Sequence, residues 1–528
     1  RRMSIRSSVS SLNYDADQRC GDGLMRANSD QRPADKIRVL AGTFLLEAWE
    51  LLRSEHVVPA SRFRPYLRVG SDYEGQPLMG LASFTALETA LFEHFPNRFE
   101  EPLKAQKPEF PNHYIFRLLE AYIAHSAKVG NEAEGAATAS IVVDEFLSAL
   151  SATEYSLVSA RLVSHVTTAT MEPIEIDGLV VRPLRQPSYE DRPIAAISKL
   201  IPDAGRAFRD GPPFAHDPPT SLVIVQEASG EVSESVATRL ARRIERFLLL
   251  TRLIHGATVQ SHWQITGPTT LISEASIDGV GFVKSGIAFQ FVQRIATVSS
   301  DDAVGYAALD NLLDNAEIAR EKMFTTSFDM ALNRFTRTYT SGDLLDAFVD
   351  LATTMEAIFV SGGSGNEDVG LRLRTRAAAL LATRDDSGRK IFDDIRRLYN
   401  IRSKLVHGGS LAMKDLDKDL RTLVPNYSGV ASTIALSFAV DRFRDLARRA
   451  ILARLALASG ASPLWPWVGD IQVDAELADD QARHHWHESW TTQLSSIGLS
   501  RSIGKAEPAV DVLAPPQLRN TGEGMSED

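Results

Sequence analysis

The chain has 528 residues, 44% hydrophobic and 24% charged, with 57 basic and 68 acidic side chains and a formal net charge of -11. This apolar fraction excludes disorder throughout, ordinary glycine and proline contents exclude a collagen-like or low-complexity chain, and the length exceeds what one hydrophobic core fills. The acidic balance argues against a protein that coats nucleic acid through bulk charge, while leaving room for a local basic site.

Residues 1–33 are polar and lack apolar periodicity, so a flexible N-terminus is expected there. They hold the one cysteine, Cys20. A lone thiol forms no intramolecular disulfide and no cysteine zinc site, which points to a reducing cytoplasm. The basic start lacks the apolar core of a secretory signal, and no apolar run reaches the ~20 residues of a membrane helix. A cytoplasmic protein without a membrane partner is expected. The chain opens on Arg1, so the true start is expected upstream or at Met3.

From 34 to 165 the spacing predicts a helical domain. Leu40, Phe44, Leu45, Trp49 and Leu52 form one helical stripe, and Leu81, Phe84, Leu87, Leu91 and Phe95 another. The segments HYIFRLLEAYIAHSAKVG and ATASIVVDEFLSALSATEYSLVSARLVS also read as helical. An α+β domain is expected over 166–326. PIEIDGLVVRPL reads as a hairpin turning at Asp177-Gly178, and TSLVIVQEAS, ATVQSHWQITG and GVGFVKSGIAFQFVQRI read as strands. Between them SESVATRLARRIERFLLLTRLI reads as a helix with Leu240, Ile244, Phe247, Leu248 and Leu250 as its apolar stripe, ended by a His255-Gly256 cap. Residues 327–457 read as a helical bundle, with helices near 342–360, 367–382, 388–407 and 428–457. Residues 458–528 read as a docking segment, with a helix around 475–495, and a disordered tail. The expected fold class is mixed α and β, mainly α.

One stretch carries chemistry: Leu398-Tyr399-Asn400-Ile401-Arg402-Ser403-Lys404-Leu405-Val406-His407-Gly408-Gly409. The tandem glycines are a natural helix stop, which puts His407 on the last turn, beside carbonyls that favour imidazolium. Arg402 and His407 lie ~140° apart around a regular helix, so they share a groove only if the arginine wraps or a second chain completes the site. An arginine matches phosphate geometry, and a histidine moves protons near neutral pH. RNA cleavage needs both, and needs no metal, because the 2′-hydroxyl nucleophile is already in place. Without further context, the same pair also reads as a helix end that caps carbonyls.

The stretch resembles the Arg-x4-His signature of HEPN domains, and closely the variant of ApeA-like HEPN proteins. DLLDAFVDLATTMEAIF resembles the family's first core helix, with Glu356 at its acidic position; GLRLRTRAAALL, with Arg376, resembles the second; IFDDIRRLYNIRSKLVHGG resembles the third. The resemblance covers about 328–457. It implies a bundle that dimerises to bring two motifs into one cleft, metal-independent RNase activity without a cofactor, and often a role in antiviral defence or toxin-like growth arrest. Arg402 and His407 would be catalytic, with Glu356, Asn400, Ser403 and Lys404 supporting and Arg396 and Arg397 tracking RNA. Many active members carry Asn, Asp or His after the arginine; here it is Ser403, as is common in the ApeA-like variant. The alternative is a non-catalytic module for RNA or nucleotide binding or for dimerisation, and a third reading is an interaction scaffold. The trigger, and the regulatory partner of the first 300 residues, stay unknown.

Charge fits modestly: residues 328–456 carry 20 basic and 16 acidic side chains, a net of +4, leaving -15 for the remainder of the -11 total. Elsewhere, His484, His485, His487 and Glu488 invite a metal reading but lack a zincin spacing, so a surface helix docked by Trp486 and Trp490 is expected. The loop SGGSGN lacks the lysine of a phosphate-binding loop and reads as a connector.

Overall fold

The computed structural model describes residues 23–54, 76–96, 113–129, 135–152, 155–184, 220–229, 234–268, 281–284, 292–318, 326–341, 343–360, 369–406, 413–423, 432–459, 473–506 and 510–511. The chain divides into two compact units: Arg1–Ala152 with Ile272–Ile277, and Thr153–Leu271 with Asp278–Asp528. The fold is mainly helical with a small antiparallel sheet, as the sequence predicts.

The first unit is helical: α1 (Gly23–Ser54), α2 (Gln76–Met79), α3 (Ala82–His94), α4 (His113–Val129) and α5 (Ala136–Ser151). Helix α1 starts ahead of the expected 33/34 boundary and runs through Pro33. Its buried stripe is Ile37, Ala41, Phe44, Leu45, Ala48 and Leu52, recurring at helical spacing. Leu40 and Trp49, expected in that stripe, are only half-buried. Phe84 joins the helices, with its ring 5.7 Å from Phe44 and 5.4 Å from Phe116. Each such buried ring contributes about 2 kcal/mol through apolar burial.

The second unit opens with a correction. Residues 155–164, expected to continue a helix, form strand β1 (Tyr155–Ser164). This strand is central, paired antiparallel with β5 (Ser221–Ser229) and β6 (Gln260–Pro268). Residues 157–164 are buried without interruption, so the alternation that marks a half-exposed strand never develops. The sheet continues outward through β4 (Leu179–Pro183) and β3 (Ile174–Ile176) on one side and β7 (Gly281–Lys284) on the other. The β3–β4 hairpin turns at Asp177 (φ 48°) and Gly178 (φ 69°), both left-handed as a two-residue turn of this kind requires. Strand β2 (Val166–Thr168) pairs in parallel with β9 (Ala296–Val298), and β8 (Val292–Gln293) pairs with β10 (Val510–Asp511). Strand β10 lies in the tail expected to be disordered.

Helix α6 (Glu234–His255) lies against the sheet, and α7 (Ala303–Ile318) follows a capping box of Ser299 and Asp302. The bundle comprises α8 (Ser327–Arg337), α9 (Leu344–Phe359), α10 (Val369–Leu381), α11 (Gly388–Val406), α12 (Met413–Leu423) and α13 (Ser432–Ala458). Short α14 (Val473–Ala478), α15 (Asp480–Ser496) and α16 (Ser500–Ile503) follow.

Helix α13 sits at the centre and is buried almost throughout, although it carries Asp441, Arg442, Arg444, Asp445, Arg448, Arg449 and Arg454. Each charge finds partners. Arg442 donates to both oxygens of Asp386 at 2.8 and 2.9 Å and to Asp394 at 3.0 Å. Arg449 donates to Asp386 at 2.8 Å, and Arg448 pairs with Asp445 at 2.8 Å. Arg454 donates to the Ala357 carbonyl. Two of these contacts cross into the α+β layers: Arg294, after β8, clamps Asp441, and Arg448 donates to the Leu253 carbonyl of α6 at 3.1 Å. The α+β region and the bundle therefore share one unit, without the separation expected at 326/327.

Candidate functional site

The site forms where α11 ends beside α9. Helix α11 buries Ile391, Asp394, Ile395, Leu398 and Ile401 along one stripe. Arg402 starts about 40° from Leu398 around the axis, within the sweep of that stripe, while Asn400 and Lys404 lie about 160° from Arg402. The sequence thus sends Arg402 toward the neighbouring helix, and Asn400 and Lys404 to the opposite side.

Helix α9 meets it with Glu356. Its start is fixed by Asp343, whose carboxylate accepts from the Leu345 amide at 2.7 Å. Its end is fixed by Arg376, which donates to the Phe359 carbonyl at 2.6 Å and grips Asp474 of α14 at 2.6 and 2.9 Å. That bond, aided by the charges of Arg376 and Arg372, holds the Asp474 carboxyl below its ordinary range. Arg376 is therefore a structural strut: it satisfies an orphan helix-end carbonyl and anchors the docking segment.

Arg402 Nη2 stands 3.6 Å from Glu356 Oε2, with both side chains about one-fifth exposed. The guanidinium carbon lies 5.7 Å from the Tyr399 ring centre, and Nε is buried without a hydrogen-bond partner among the described residues. Tyr399 is half-buried. The arginine is thus steered on one edge, and the exposed fifth of its side chain is what an anion could reach. A half-buried pair of this length contributes on the order of 1 kcal/mol, so it orients more than it stabilises.

The structure brings together Arg402 and Glu356 from the expected set. His407 lies outside the described residues, as do Gly408 and Gly409; α11 is described to Val406, which is 50% exposed. Asn400 is exposed, and Ser403 and Lys404 are half-buried. Arg396 leans on Asp393 at 3.6 Å, and Arg397 donates to the Asp393 carbonyl at 2.9 Å, so both lie back on their own helix. The connector SGGSGN also lies outside the described residues.

Among the described residues no group of His, Cys, Asp and Glu is arranged to hold a metal. Trp486 and Trp490 are buried and dock α15, and His487 meets Trp490 edge-on at 5.4 Å. Burial pushes the His487 imidazole below its ordinary range, helped by the charges of His484 and Arg449 and opposed by the Ala382 backbone. At the other His-Gly pair, Gly256 has φ 63° and donates to the Arg252 carbonyl at 3.0 Å, the expected helix stop.

Two charged arrays escaped the sequence reading. One is the buried ladder of α13. The other is a row on α6, Arg239, Arg242, Arg243 and Arg246, whose i, i+3, i+4, i+7 spacing puts all four on one face. The spacing was visible in RLARRIERF, behind the apolar stripe that dominates the same helix. Among the described residues no helix is long and apolar enough to cross a membrane. No family model, no curated protein and no solved structure matches the chain.

Proposed function

We propose that the protein is a metal-independent endoribonuclease of the HEPN type, cytoplasmic, dimeric through its 327–457 bundle, and used in antiviral defence or toxin-like growth arrest. Residues 34–300 sense a trigger or restrain the nuclease. His407 takes the proton from the RNA 2′-hydroxyl; the freed oxygen attacks phosphorus; the 5′-oxygen leaves with a proton returned by the imidazolium. Arg402 stabilises the charge that builds on the phosphate oxygens. Glu356 positions Arg402.

The observation that carries this reading is the Arg402–Glu356 pair joining two helices at the end of the motif. The test is single-stranded RNA incubated with the full chain in EDTA. Cleavage is expected to persist, to fall by ~10²–10⁴ in His407→Ala and by ~10²–10³ in Arg402→Ala. Cleavage that needs a divalent ion, or survives both changes, refutes it. The same pair favours a second reading, a non-catalytic module: a carboxylate 3.6 Å away cancels part of the arginine's field. RNA binding without cleavage would select that reading. A strict monomer at high concentration would count against the composite cleft.

A further inference from the structure

Within the second unit, a cavity of about 1070 Å³ opens between α6, the β3–β4 hairpin, α7 and α8. Its size is that of a small-molecule site. Four arginines of α6 face it, Arg239, Arg242, Arg243 and Arg246, but so do the carboxylates of Asp177, Glu245, Asp310 and Asp314. The lining is neutral by count, and what matters is where the charges are already spent.

At one end Arg239 is held by Glu227 of β5. At the other, Arg246 is clamped by Asp310 at 2.5 Å and Asp314 at 2.7 Å. Glu245 turns away to meet the buried Arg161. The two central arginines bond to no carboxylate. Arg243 donates to a neutral group, the Asp177 carbonyl, at 2.9 Å. It reaches there because Gly178 is bare: a Cβ on Gly178 would lie 3.0 Å from Arg243 Nη2. Arg242 is exposed and has no bonded partner among the described residues. The cavity therefore has a centre with two guanidiniums open to an anion, an acceptor-rich end at Asp310 and Asp314, and a floor that includes Phe247, stacked on Tyr306 at 5.4 Å.

We propose that this cavity binds a mononucleotide, its phosphate held by Arg242 and Arg243 and its base and ribose donors facing Asp310 and Asp314. A phosphate dianion can accept from both Arg242 and Arg243, which line the same cavity, and the base and ribose supply the N–H and O–H groups that the acidic end accepts. A long polyanion gains little here, because the neutral lining gives no extended positive track. The site is independent of the Arg402 motif and of any nuclease activity.

The test is calorimetric titration of the full chain with each of the common ribonucleoside 5′-monophosphates, beside adenosine and inorganic phosphate. At least one monophosphate is expected to bind in the micromolar range, with adenosine and phosphate each weaker by roughly tenfold or more. Arg242→Glu, at an exposed position without a bonded partner, is expected to weaken that monophosphate by roughly tenfold or more while leaving the unliganded melting temperature unchanged. Arg243→Gln should weaken the same monophosphate as well. The proposal is overturned if no monophosphate binds at about 1 mM, if Arg242→Glu binds as well as the parent, or if only single-stranded RNA binds.

Discussion

Helices α11 and α13 are both rich in arginine, and they use it in opposite ways. On α13, Arg442 and Arg448 are buried among Asp386, Asp394 and Asp445 in geometry that satisfies most of their donors, while Arg449 bonds Asp386 through Nη2 and leaves Nε and Nη1 without a hydrogen-bond partner among the described residues. On α11, Arg402 meets one carboxylate at 3.6 Å and stays about one-fifth exposed, while Arg396 is exposed and Arg397 is half-buried against its own helix. The lesson concerns exposure. A guanidinium sealed among carboxylates and carbonyls holds the fold, and one left partly exposed at a helix end beside a single carboxylate is open to a ligand. Burial does not alter the net charge of the 328–456 stretch. Five arginines (Arg442, Arg444, Arg448, Arg449, Arg454) and five aspartates (Asp350, Asp386, Asp394, Asp441, Asp445) of the 328–456 stretch are buried among the described residues. Removing them leaves 20 - 5 = 15 against 16 - 5 = 11, still +4.

This contrast has a direct test in stability. Asp386→Ala strips the shared acceptor from Arg442 and Arg449. It should cost about 3–5 kcal/mol, because two buried cations lose their partner. Arg402→Ala should cost under about 1 kcal/mol in the same denaturant titration. Similar losses in both would erase the distinction between the helices.

A second test uses pH at the edge of the ladder. Burial pushes the His255 imidazole from 6.5 down to about 4, with the charges of Arg501 and Arg448 adding and Asp302 opposing. A folded value below the unfolded one means that the unfolded chain takes the proton first as pH falls. The stability is full above about pH 6.5 and is lost progressively toward about pH 4, by up to about 3 kcal/mol. His255→Gln should flatten that slope; an unchanged slope would remove His255 from the ladder's surroundings.

Smaller effects sharpen the picture. Arg376→Ala should cost about 1–2 kcal/mol and loosen α14, seen as faster hydrogen exchange over 473–478. Arg396→Ala should leave stability within about 0.5 kcal/mol. If the exposed face of α11 meets RNA, it should also lower the salt slope of binding by about 1.

Much of the helical text was legible. The stripes of α1 and α3, the Asp177-Gly178 hairpin and the His255-Gly256 stop all follow from local rules. Strand β1 was not, because a strand buried on both faces shows no period of two. The shared unit was not, because the Arg294–Asp441 contact pairs residues far apart in sequence. Within the site, the resemblance alone suggested Glu356 as a support for Arg402, and the two stand 3.6 Å apart. The spacing could not reveal that Asn400 and Lys404 leave the helix on the far side, which follows from which stripe the core selects. Nor could it separate the arginines of α6, since their availability depends on which of them a carboxylate reaches.

The Arg448–Leu253 and Arg294–Asp441 contacts bear on portability. A bundle cut free at 326/327 would carry Asp441 without its clamp and Arg448 without a carbonyl from α6. Grafting this bundle onto another domain, by recombination or by design, therefore means transplanting the end of α6 and the segment around β8 with it. What reads in sequence as an interchangeable cartridge is wired into its neighbours by its own charges.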